Sequence, residues 1–196
     1  MSKVFIVGAS GLVGTAAANS FINAGWEVVA TSRRAPQFIE GNYQHLPLDL
    51  TDTQACANAL STIKDISHVV YSAVFELPGL VAGWSDPLQI ETNTQMIKNL
   101  VQPLLSDGQL QHFTLLQGTK AYGGSVQPMR VPAREDQERV EHPNFYWPQE
   151  DFTQESAAQH GFNYTILRPQ LIVGPNYGVV MNLPPIIGAY AALCTH

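Results

Sequence analysis

The stretch GASGLVG, residues 8–14, constrains most strongly what this chain can fold into. It places Gly8, Gly11 and Gly14 directly after the apolar run KVFIV and at the start of the helical pattern GLVGTAAANSFINAG. Glycines at this spacing permit a tight turn and a close approach of the backbone to a pyrophosphate, while the helix N-terminus supplies free N–H groups. The pattern therefore predicts a dinucleotide-binding loop between a first strand and a first helix. The alternative is that the glycines serve only the packing of helix against sheet.

Short β-branched apolar runs alternate with helical patterns along the chain. The predicted strands are KVFIVG, WEVVATS, YQHLPLDL, SHVVYSA, HFTLLQG and NYTILRP. A long helix is predicted to start near Asp86, and a later one to carry Pro148 in its first turn and Gly161 after its end. Strands that are apolar on both faces need helices on both sides. The fold class is therefore predicted as α/β, a doubly wound parallel sheet of the Rossmann type.

Residues 1–180 are predicted to form one dinucleotide-binding Rossmann domain. The segment MNLPPIIGAYAALCTH begins as a helix after Pro184 and Pro185 and then stops without a capping residue. We interpret residues 181–196 as the start of a truncated substrate-binding region that is largely missing. An exposed apolar helix at this point favours a homodimer.

The charge of the chain argues against a nucleic acid partner, and its apolar runs argue against a membrane partner. The 10 Lys and Arg residues against 16 Asp and Glu residues give a net charge of -6, without long runs of one sign. The first apolar run is too short for a signal peptide or a membrane span. Cys56 and Cys194 have neither metal-ligand nor disulfide-framework spacing, which favours a reduced, cytoplasmic setting. No metal-binding spacing relates the six histidines, which are His45, His68, His112, His142, His160 and His196.

The second predicted strand ends in Thr31, Ser32, Arg33 and Arg34, where an NAD enzyme carries an acid for the ribose hydroxyls. Guanidinium groups there suit a 2′-phosphate by charge and by forked geometry, so NADP(H) is predicted as the cofactor. The alternative is a pair of solvated surface arginines. Asp49 follows the third strand, where this fold passes the adenine ring, but it fits equally well as a cap of the next helix.

Tyr146 lies in the stretch NFYWPQED, and Glu150 stands four residues later, where many nicotinamide-dependent enzymes carry a lysine. The stretches GASGLVG and LRPQLIVGP together resemble the extended short-chain dehydrogenase/reductase superfamily. The stretches LLQGTKAYGG, NFYWPQEDF and LRPQLIVGP resemble one branch of it, the progesterone 5β-reductase/iridoid synthase-like enone reductases. That branch uses the lysine of a G-x-K-x-Y stretch and the tyrosine of an N-F-Y stretch, which match Lys120 and Tyr146 here.

This resemblance implies an NADPH-dependent reductase of activated C=C bonds in enones or enals, with hydride passing to the β-carbon. Tyr146 would stabilise the charge on the substrate carbonyl oxygen, and Lys120 would tune the tyrosine. The resemblance covers nearly all of this chain but only the first part of a family member, which continues into a substrate-covering region.

Physical arguments support the same two residues. Ligands of an open parallel sheet bind beyond the carboxyl ends of the strands, where GTK and RPQLIVG both emerge. A cation beside a phenol favours the phenolate or a strongly donating phenol. The alternatives are that Tyr146 is a buried structural ring and that Lys120 is a solvated loop lysine.

The predicted cofactor contacts come from the glycine loop and from the carboxyl ends of the strands. They are Gly8, Ser10, Gly11, Leu12, Val13, Gly14, Ser32, Arg33, Arg34, Asp49, Leu50, Ser72, Ala73, Gln117, Gly118, Lys120, Tyr146, Pro169, Leu171 and Ile172. Thr119 and Tyr122 are further candidates for the pocket wall. Arg168 is expected to pair with a carboxylate, and Glu150 and Asp151 to start a helix without a catalytic role.

Two other functions stay open at this point. One is an ordinary extended-family NAD(P)-dependent epimerase, dehydratase or carbonyl reductase, against which the absent Tyr-x-x-x-Lys spacing argues. The other is a non-catalytic NADP-binding protein or fragment, which the abrupt end of the sequence favours and the presence of both Lys120 and Tyr146 opposes. Hydrolase chemistry is not predicted, because Ser72 lacks a nucleophile-elbow motif.

Overall fold

The computed structural model describes residues 2–78, 82–175 and 182–194. These residues form six strands and five α-helices, which alternate along most of the chain. The strands are β1 (Lys3–Val7), β2 (Glu27–Ser32), β3 (Gln44–Pro47), β4 (His68–Tyr71), β5 (His112–Leu116) and β6 (Asn163–Leu167). The helices are α1 (Leu12–Asn23), α2 (Thr53–Leu60), α3 (Pro87–Leu105), α4 (Tyr146–His160) and α5 (Leu183–Cys194). All six predicted strands are confirmed.

The six strands form one sheet in the order β3-β2-β1-β4-β5-β6, and every neighbouring pair is parallel. The strand order reverses between β1 and β4, because the chain moves outward from β1 to β3 and then returns to the other side of β1. Ligands of such sheets bind in the crevice at this reversal, beyond the carboxyl ends of the strands. The predicted fold class is confirmed, and the crevice lies where Gly8 and Ser72 follow β1 and β4.

The two faces of the sheet are covered by different helices, as the alternation of side chains along β1 requires. Phe5 and Val7 point into the larger core, which they share with residues of α2, α3 and α4. Val4 and Ile6 point to the opposite face, where Ala18 of α1 packs against them. Each of these four β1 side chains is fully buried. A central strand buried on both faces explains why its sequence reads as a continuous apolar run.

Helix α4 begins at Tyr146, so Pro148 lies in its first turn as predicted. The side-chain oxygen of Asn144 accepts hydrogen bonds from the N–H groups of Tyr146 and Trp147, at 2.9 and 3.2 Å, and so satisfies two N–H groups of the first turn. The prediction that Glu150 starts this helix is wrong, because this early cap moves the residue into the second turn. Gly161 ends the helix with a left-handed φ of 76°, as predicted.

The last strand and the last helix are the most exposed elements. Leu167 of β6 is 47% exposed, and α5 buries none of its side chains. Helix α5 begins at Leu183, before the two prolines, since proline is tolerated in a first turn. The predicted division between residues 180 and 181 falls outside the described residues. In the described part of the chain, no helix has the length and apolar character needed to cross a membrane.

Candidate active site

A cavity of about 670 Å³ lies at the carboxyl edge of the sheet, at the reversal of strand order. It is walled by the glycine loop, by the segments after β4, β5 and β6, and by the start of α4. Most of the predicted contact residues line it, namely Ser10, Gly11, Leu12, Val13, Ser72, Ala73, Gln117, Gly118, Lys120, Tyr146, Pro169, Leu171 and Ile172. Thr119 lines it too. Segments far apart in sequence are therefore brought to one site.

The glycine loop is folded tightly against the start of α1. Gly8 has a left-handed φ of 84°, and its carbonyl oxygen accepts the N–H of Gly11 at 2.9 Å. A Cβ atom at Gly14 would clash with that carbonyl group, so only glycine permits this approach of helix to loop. Gly11, Leu12 and Val13 at the start of α1 line the cavity, so the positive end of the helix faces it. An anionic pyrophosphate fits this arrangement.

Several predicted contacts lie outside the cavity. Arg33 and Arg34 are exposed beyond β2, where the Ser32 hydroxyl donates a 2.6 Å hydrogen bond to the Arg34 carbonyl oxygen. Leu50 is buried, and its carbonyl oxygen accepts a 2.8 Å hydrogen bond from the Asn99 side chain. Gly8 and Gly14 act through backbone packing and do not line the wall.

Asp49 does not cap α2. Its carboxylate accepts hydrogen bonds from the N–H and the hydroxyl of Thr51, and these bonds, with a smaller contribution from Arg33, hold the pKa of Asp49 below its usual value. Asp52 is the residue that caps the helix, by accepting the N–H of Ala55 at 2.9 Å. Of the two predicted roles of Asp49, the capping role is wrong, because its carboxylate forms a local turn with Thr51 and the residue three positions later caps the helix. Its place beside the adenine ring stays a prediction.

Tyr146 is held rigidly at the start of α4 and is 8% exposed. Its backbone carbonyl accepts a 3.0 Å hydrogen bond from the Gln117 side chain. Its ring packs edge-on against Phe145 and Trp84, with centroid distances of 4.8 and 5.4 Å. Burial, with a contribution from Glu76, raises the pKa of Tyr146 well above its usual value. The phenol is therefore a neutral hydrogen-bond donor.

Lys120 lies in the 3-10 turn Thr119–Tyr122 that follows β5. Its Nζ atom stands 3.3 Å from the centroid of the Trp84 ring. Burial lowers the pKa of Lys120 to about 8, and the nearby Glu76 carboxylate opposes that shift. Among the described residues, no hydrogen bond joins Lys120 to Tyr146. Burial disfavours the Tyr146 anion, so of the two predicted effects of the cation, a phenolate or a strongly donating phenol, the structure favours the donating phenol.

Glu150 occupies the position of the missing lysine and belongs to an ion-pair network beside the cavity. Its carboxylate pairs with Arg168 and also with Arg139, the latter at 3.1 Å. Arg168 in turn donates a 2.9 Å hydrogen bond to the Gln117 side chain, which holds the Tyr146 carbonyl. The predicted pairing of Arg168 with a carboxylate is confirmed. The network fixes the backbone of the tyrosine.

Sequence reasoning missed several residues of the cavity wall. They are Val74, Glu76, Trp84, Leu116, Phe145, Gln149 and Gln170. The signal that points to Glu76 is that it follows β4, one of the two strands between which the strand order reverses and the crevice lies. No sequence motif marks Trp84. Tyr122, a candidate for the wall, instead lies under the Arg168 guanidinium at 5.1 Å.

No group of metal-ligating side chains is gathered anywhere in residues 2–78, 82–175 or 182–194. His68 and His112 stack at a centroid distance of 6.1 Å on the sheet, and no carboxylate completes a ligand set there. His196 lies outside the described residues.

Comparison with known proteins agrees with this geometry. The profile of the NAD dependent epimerase/dehydratase family matches residues 4–188. The (S)-8-oxocitronellyl enol synthase of Catharanthus roseus is 28% identical over 209 residues, which cover 100% of this chain and 51% of that protein. The 3-oxo-Delta(4,5)-steroid 5-beta-reductase of Arabidopsis thaliana is 27% identical, with 100% and 52% covered. The chain thus spans about half the length of these curated relatives.

Solved structures share the fold at low identity. UDP-glucose 4-epimerase from Bifidobacterium longum, in complex with NAD+ and UDP, superposes with a TM-score of 0.79 at 17% identity, covering 97% of this chain and 62% of that one. The enzyme WbmH of Bordetella bronchiseptica, in complex with NAD+, gives 0.72 at 21% identity, covering 100% and 63%. At these identities the likeness establishes the fold alone.

Gly118 permits the close approach of the Tyr146 hydroxyl. A Cβ atom at Gly118 would lie 3.1 Å from that oxygen, so Gly118→Ala forces the tyrosine or the strand end to shift. We expect the free energy of unfolding to fall by about 1–3 kcal/mol, the range for overpacking, measured by denaturant titration.

Gly188→Ala is the matched control, since a Cβ atom there meets nothing within 4 Å and lies in a helix. It is expected to leave the unfolding free energy unchanged or to raise it. Equal stabilities of wild type and Gly118→Ala would contradict the close packing of the tyrosine hydroxyl.

Proposed function

This chain belongs to the NAD dependent epimerase/dehydratase family, and we propose that it takes part in NADPH-dependent reduction of activated C=C bonds in enones or enals. One observation carries the proposal: a neutral tyrosine hydroxyl and a lysine ammonium enter one largely apolar cavity beside a dinucleotide-type glycine loop. The relatives named as enol synthases and as a steroid 5β-reductase support the same reaction class. A cytoplasmic location, a homodimer through α5 and a domain boundary near residue 180 stay predictions.

The residues of the crevice fit a dinucleotide. Bound NADPH would supply the hydride. The backbone of residues 8–14 and the N-terminus of α1 would hold its pyrophosphate, and Pro169, Leu171 and Ile172 would border its nicotinamide end. Arg33 and Arg34 would pair with the 2′-phosphate through forked, charge-assisted hydrogen bonds. Their exposed position beyond β2 leaves both guanidinium groups accessible to such a ligand.

Tyr146 would act on the carbonyl oxygen of the substrate. When hydride adds to the β-carbon, the C=C electron pair moves toward the carbonyl group, and negative charge develops on the oxygen. A hydroxyl that is fixed by packing and keeps its proton donates a hydrogen bond to that oxygen without reorganising. A solvent proton then adds to the α-carbon, which leaves a saturated carbonyl product. Lys120 would add a positive charge within the same cavity.

The same geometry weighs against proton relay by a Tyr-x-x-x-Lys pair. An epimerase or carbonyl reductase of that type needs a cation one helical turn after the tyrosine, and this chain has Glu150 there, already paired with Arg168. The neutral Tyr146 phenol also weighs against alcohol oxidation, because removal of a proton from an alcohol needs a phenolate-like base. Carbonyl reduction can use a neutral phenol as its acid, so product analysis is needed to separate it from enone reduction. A non-catalytic dinucleotide-binding role is separated from reductase activity by the experiments below.

Tyr146→Phe removes only the hydroxyl. We expect kcat with small enones such as 2-cyclohexen-1-one to fall about 10²–10³-fold, the loss typical of one oxyanion donor, while NADPH binding is kept. Turnover is followed by NADPH absorbance and products by mass spectrometry. Tyr164→Phe, on exposed β6, is the control and should retain full turnover.

Three results of this experiment would contradict the proposal in different ways. Full turnover by Tyr146→Phe would remove the tyrosine from the reaction. An allylic alcohol from the wild type would assign carbonyl reduction. Bound NADPH without turnover on a panel of enones and enals would assign a non-catalytic binding role to this chain.

The two arginines after β2 are tested by their effect on cofactor choice. Arg33→Ala with Arg34→Ala should raise KM for NADPH about 10–100-fold, equivalent to about 1.4–2.7 kcal/mol for the pair, and should change KM for NADH little. Both guanidinium groups are exposed, so solvent screens each charge-assisted hydrogen bond below its usual contribution of roughly 1.5–3 kcal/mol. Arg130→Ala with Arg134→Ala makes the same charge change on an exposed loop and serves as the control. Equal effects on both cofactors would refute the 2′-phosphate assignment.

The pKa of Lys120 predicts a pH dependence for the reaction. The lysine carries its charge below about pH 8 and loses it as the pH rises through that value, because burial disfavours the ammonium. Stabilisation of the developing oxyanion should therefore weaken, and kcat/KM should fall above about pH 8. Tyr146 contributes no inflection there, since its pKa is raised.

Lys120→Met should lower kcat/KM and abolish the inflection near pH 8, whereas Lys64→Met, at an exposed surface lysine, should keep the wild-type profile. Persistence of the inflection in Lys120→Met would show that another group titrates.

A further inference from the structure

Trp84 touches both side chains to which the proposed reaction assigns chemistry. It lies in the 3-10 turn Ala82–Ser85 between β4 and α3. Its ring stacks on Phe145 at a centroid distance of 4.8 Å and meets the edge of the Tyr146 ring at 5.4 Å. The Lys120 ammonium nitrogen lies 3.3 Å from its centroid. Among the residues that the structure describes, no other side chain of the cavity wall both contacts the Tyr146 ring and lies against the Lys120 ammonium.

We propose that Trp84 is a positioning residue that seats the Lys120 ammonium on its indole face, inside the cavity and apart from the Tyr146 hydroxyl. The proposal rests on the proposed function for its catalytic meaning, because Lys120 is the group that Trp84 would position. The contact between the Lys120 ammonium and the Trp84 ring does not depend on that function. The indole face carries negative electrostatic potential and attracts a cation at this distance.

Because the Lys120 ammonium lies on an uncharged aromatic ring, its positive charge is not cancelled within the site. Among the residues that the structure describes, Glu76 is the only carboxylate on the cavity wall, and no ion pair joins it to Lys120. A carboxylate in contact would cancel the ammonium charge, whereas an uncharged ring holds the ammonium and leaves its positive charge in place. A cavity that is to stabilise a developing oxyanion benefits from the second arrangement.

The turn that carries Trp84 is anchored to a rigid helix. The Gln89 side chain of α3 accepts the N–H of Leu77 at 2.8 Å, and Asp86 caps α3 directly after the turn. A Cβ atom at Gly83 would lie 2.7 Å from the Gln89 oxygen, so the turn packs closely on that helix. The turn that carries Trp84 is therefore held by α3, and Phe145 stacks on the indole ring, which restricts its movement as is needed for a residue that fixes another side chain.

The test measures the titration of Lys120 directly and does not depend on turnover. The chain is labelled with acetic anhydride across a pH series, and the extent of Lys120 acetylation is read by mass spectrometry of its peptide. Trp84→Leu keeps an apolar group but removes the ring electrons. We expect the Lys120 pKa to fall by about one unit relative to the wild type, equivalent to about 1.4 kcal/mol. Trp84→Phe should shift it less, because a smaller aromatic face remains.

Trp26→Phe is the control, because Trp26 packs on the other side of the sheet against Phe21 and His68. It should leave the Lys120 titration unchanged. An unchanged or raised Lys120 pKa in Trp84→Leu would overturn the proposal and leave burial as the only cause.

If Trp84→Leu fails to fold, biosynthetic incorporation of fluorinated tryptophans provides the second measurement. Fluorination withdraws electron density from the ring with little change of size, so the Lys120 pKa should fall step by step as fluorine atoms are added. A flat series would overturn the proposal. If the Lys120 pKa falls with fluorination but no enone is turned over, the proposed function would be refuted, whereas the proposal that Trp84 positions Lys120 would stand.

Discussion

A carboxylate buried in a protein must be paired, and the arrangement of this active-site candidate depends on how Glu150 meets that requirement. Its side chain is 10% exposed, and it pairs with Arg168 at the end of β6 and with Arg139 in the loop before α4. Removing one partner of such a pair typically costs about 3–5 kcal/mol. The pair therefore fixes α4 against the last strand, and Tyr146 at the start of that helix is fixed with it.

The network extends to the strand next to β6. Gln117 accepts from Arg168 and donates to the Tyr146 carbonyl, so one amide side chain joins the ends of β5 and β6 to the tyrosine. Gly118 follows immediately and leaves room for the tyrosine hydroxyl. Glu150 therefore occupies the position four residues after Tyr146, where a lysine is missing, and its ion pairs give that position a structural role. A cation in that position would stand beside the guanidinium groups of Arg139 and Arg168, which both pair with Glu150.

The fold could be predicted from the sequence because its signals are local. Apolar runs such as KVFIV and the glycine pattern at residues 8–14 each specify a strand or a turn without reference to the rest of the chain. The end of α4 at Gly161 was predictable for the same reason, since a left-handed residue terminates a helix wherever it stands. Asp49 and Asp52 were harder to distinguish, because both are acidic residues ahead of the same helix and only the geometry of the turn separates them.

The electrostatics of the site could not be predicted, because they depend on burial and on neighbours that are distant in sequence. A lysine near a tyrosine predicts a lowered tyrosine pKa, yet burial of Tyr146 raises it, and the ammonium lies on Trp84. Trp84 precedes Tyr146 by 62 positions and belongs to no motif. Its role depends on the docking of a turn onto α3, which is a tertiary property.

Burial raises the pKa of Tyr146 and lowers that of Lys120, and this combination suits the stabilisation of a developing anion better than the abstraction of a proton. Burial keeps Tyr146 neutral by disfavouring its anion. The same burial lowers the pKa of Lys120 to about 8, so most of the lysine keeps its positive charge at neutral pH. A site built for proton abstraction would need these tendencies reversed, with an anionic tyrosine made stable by a contacting cation. A site that stabilises charge arriving on a neutral substrate needs a donor that keeps its proton and a cation that is not already neutralised. The cavity at the carboxyl edge of this sheet has that second combination, so its electrostatics suit the stabilisation of a developing oxyanion better than the abstraction of a proton from an alcohol.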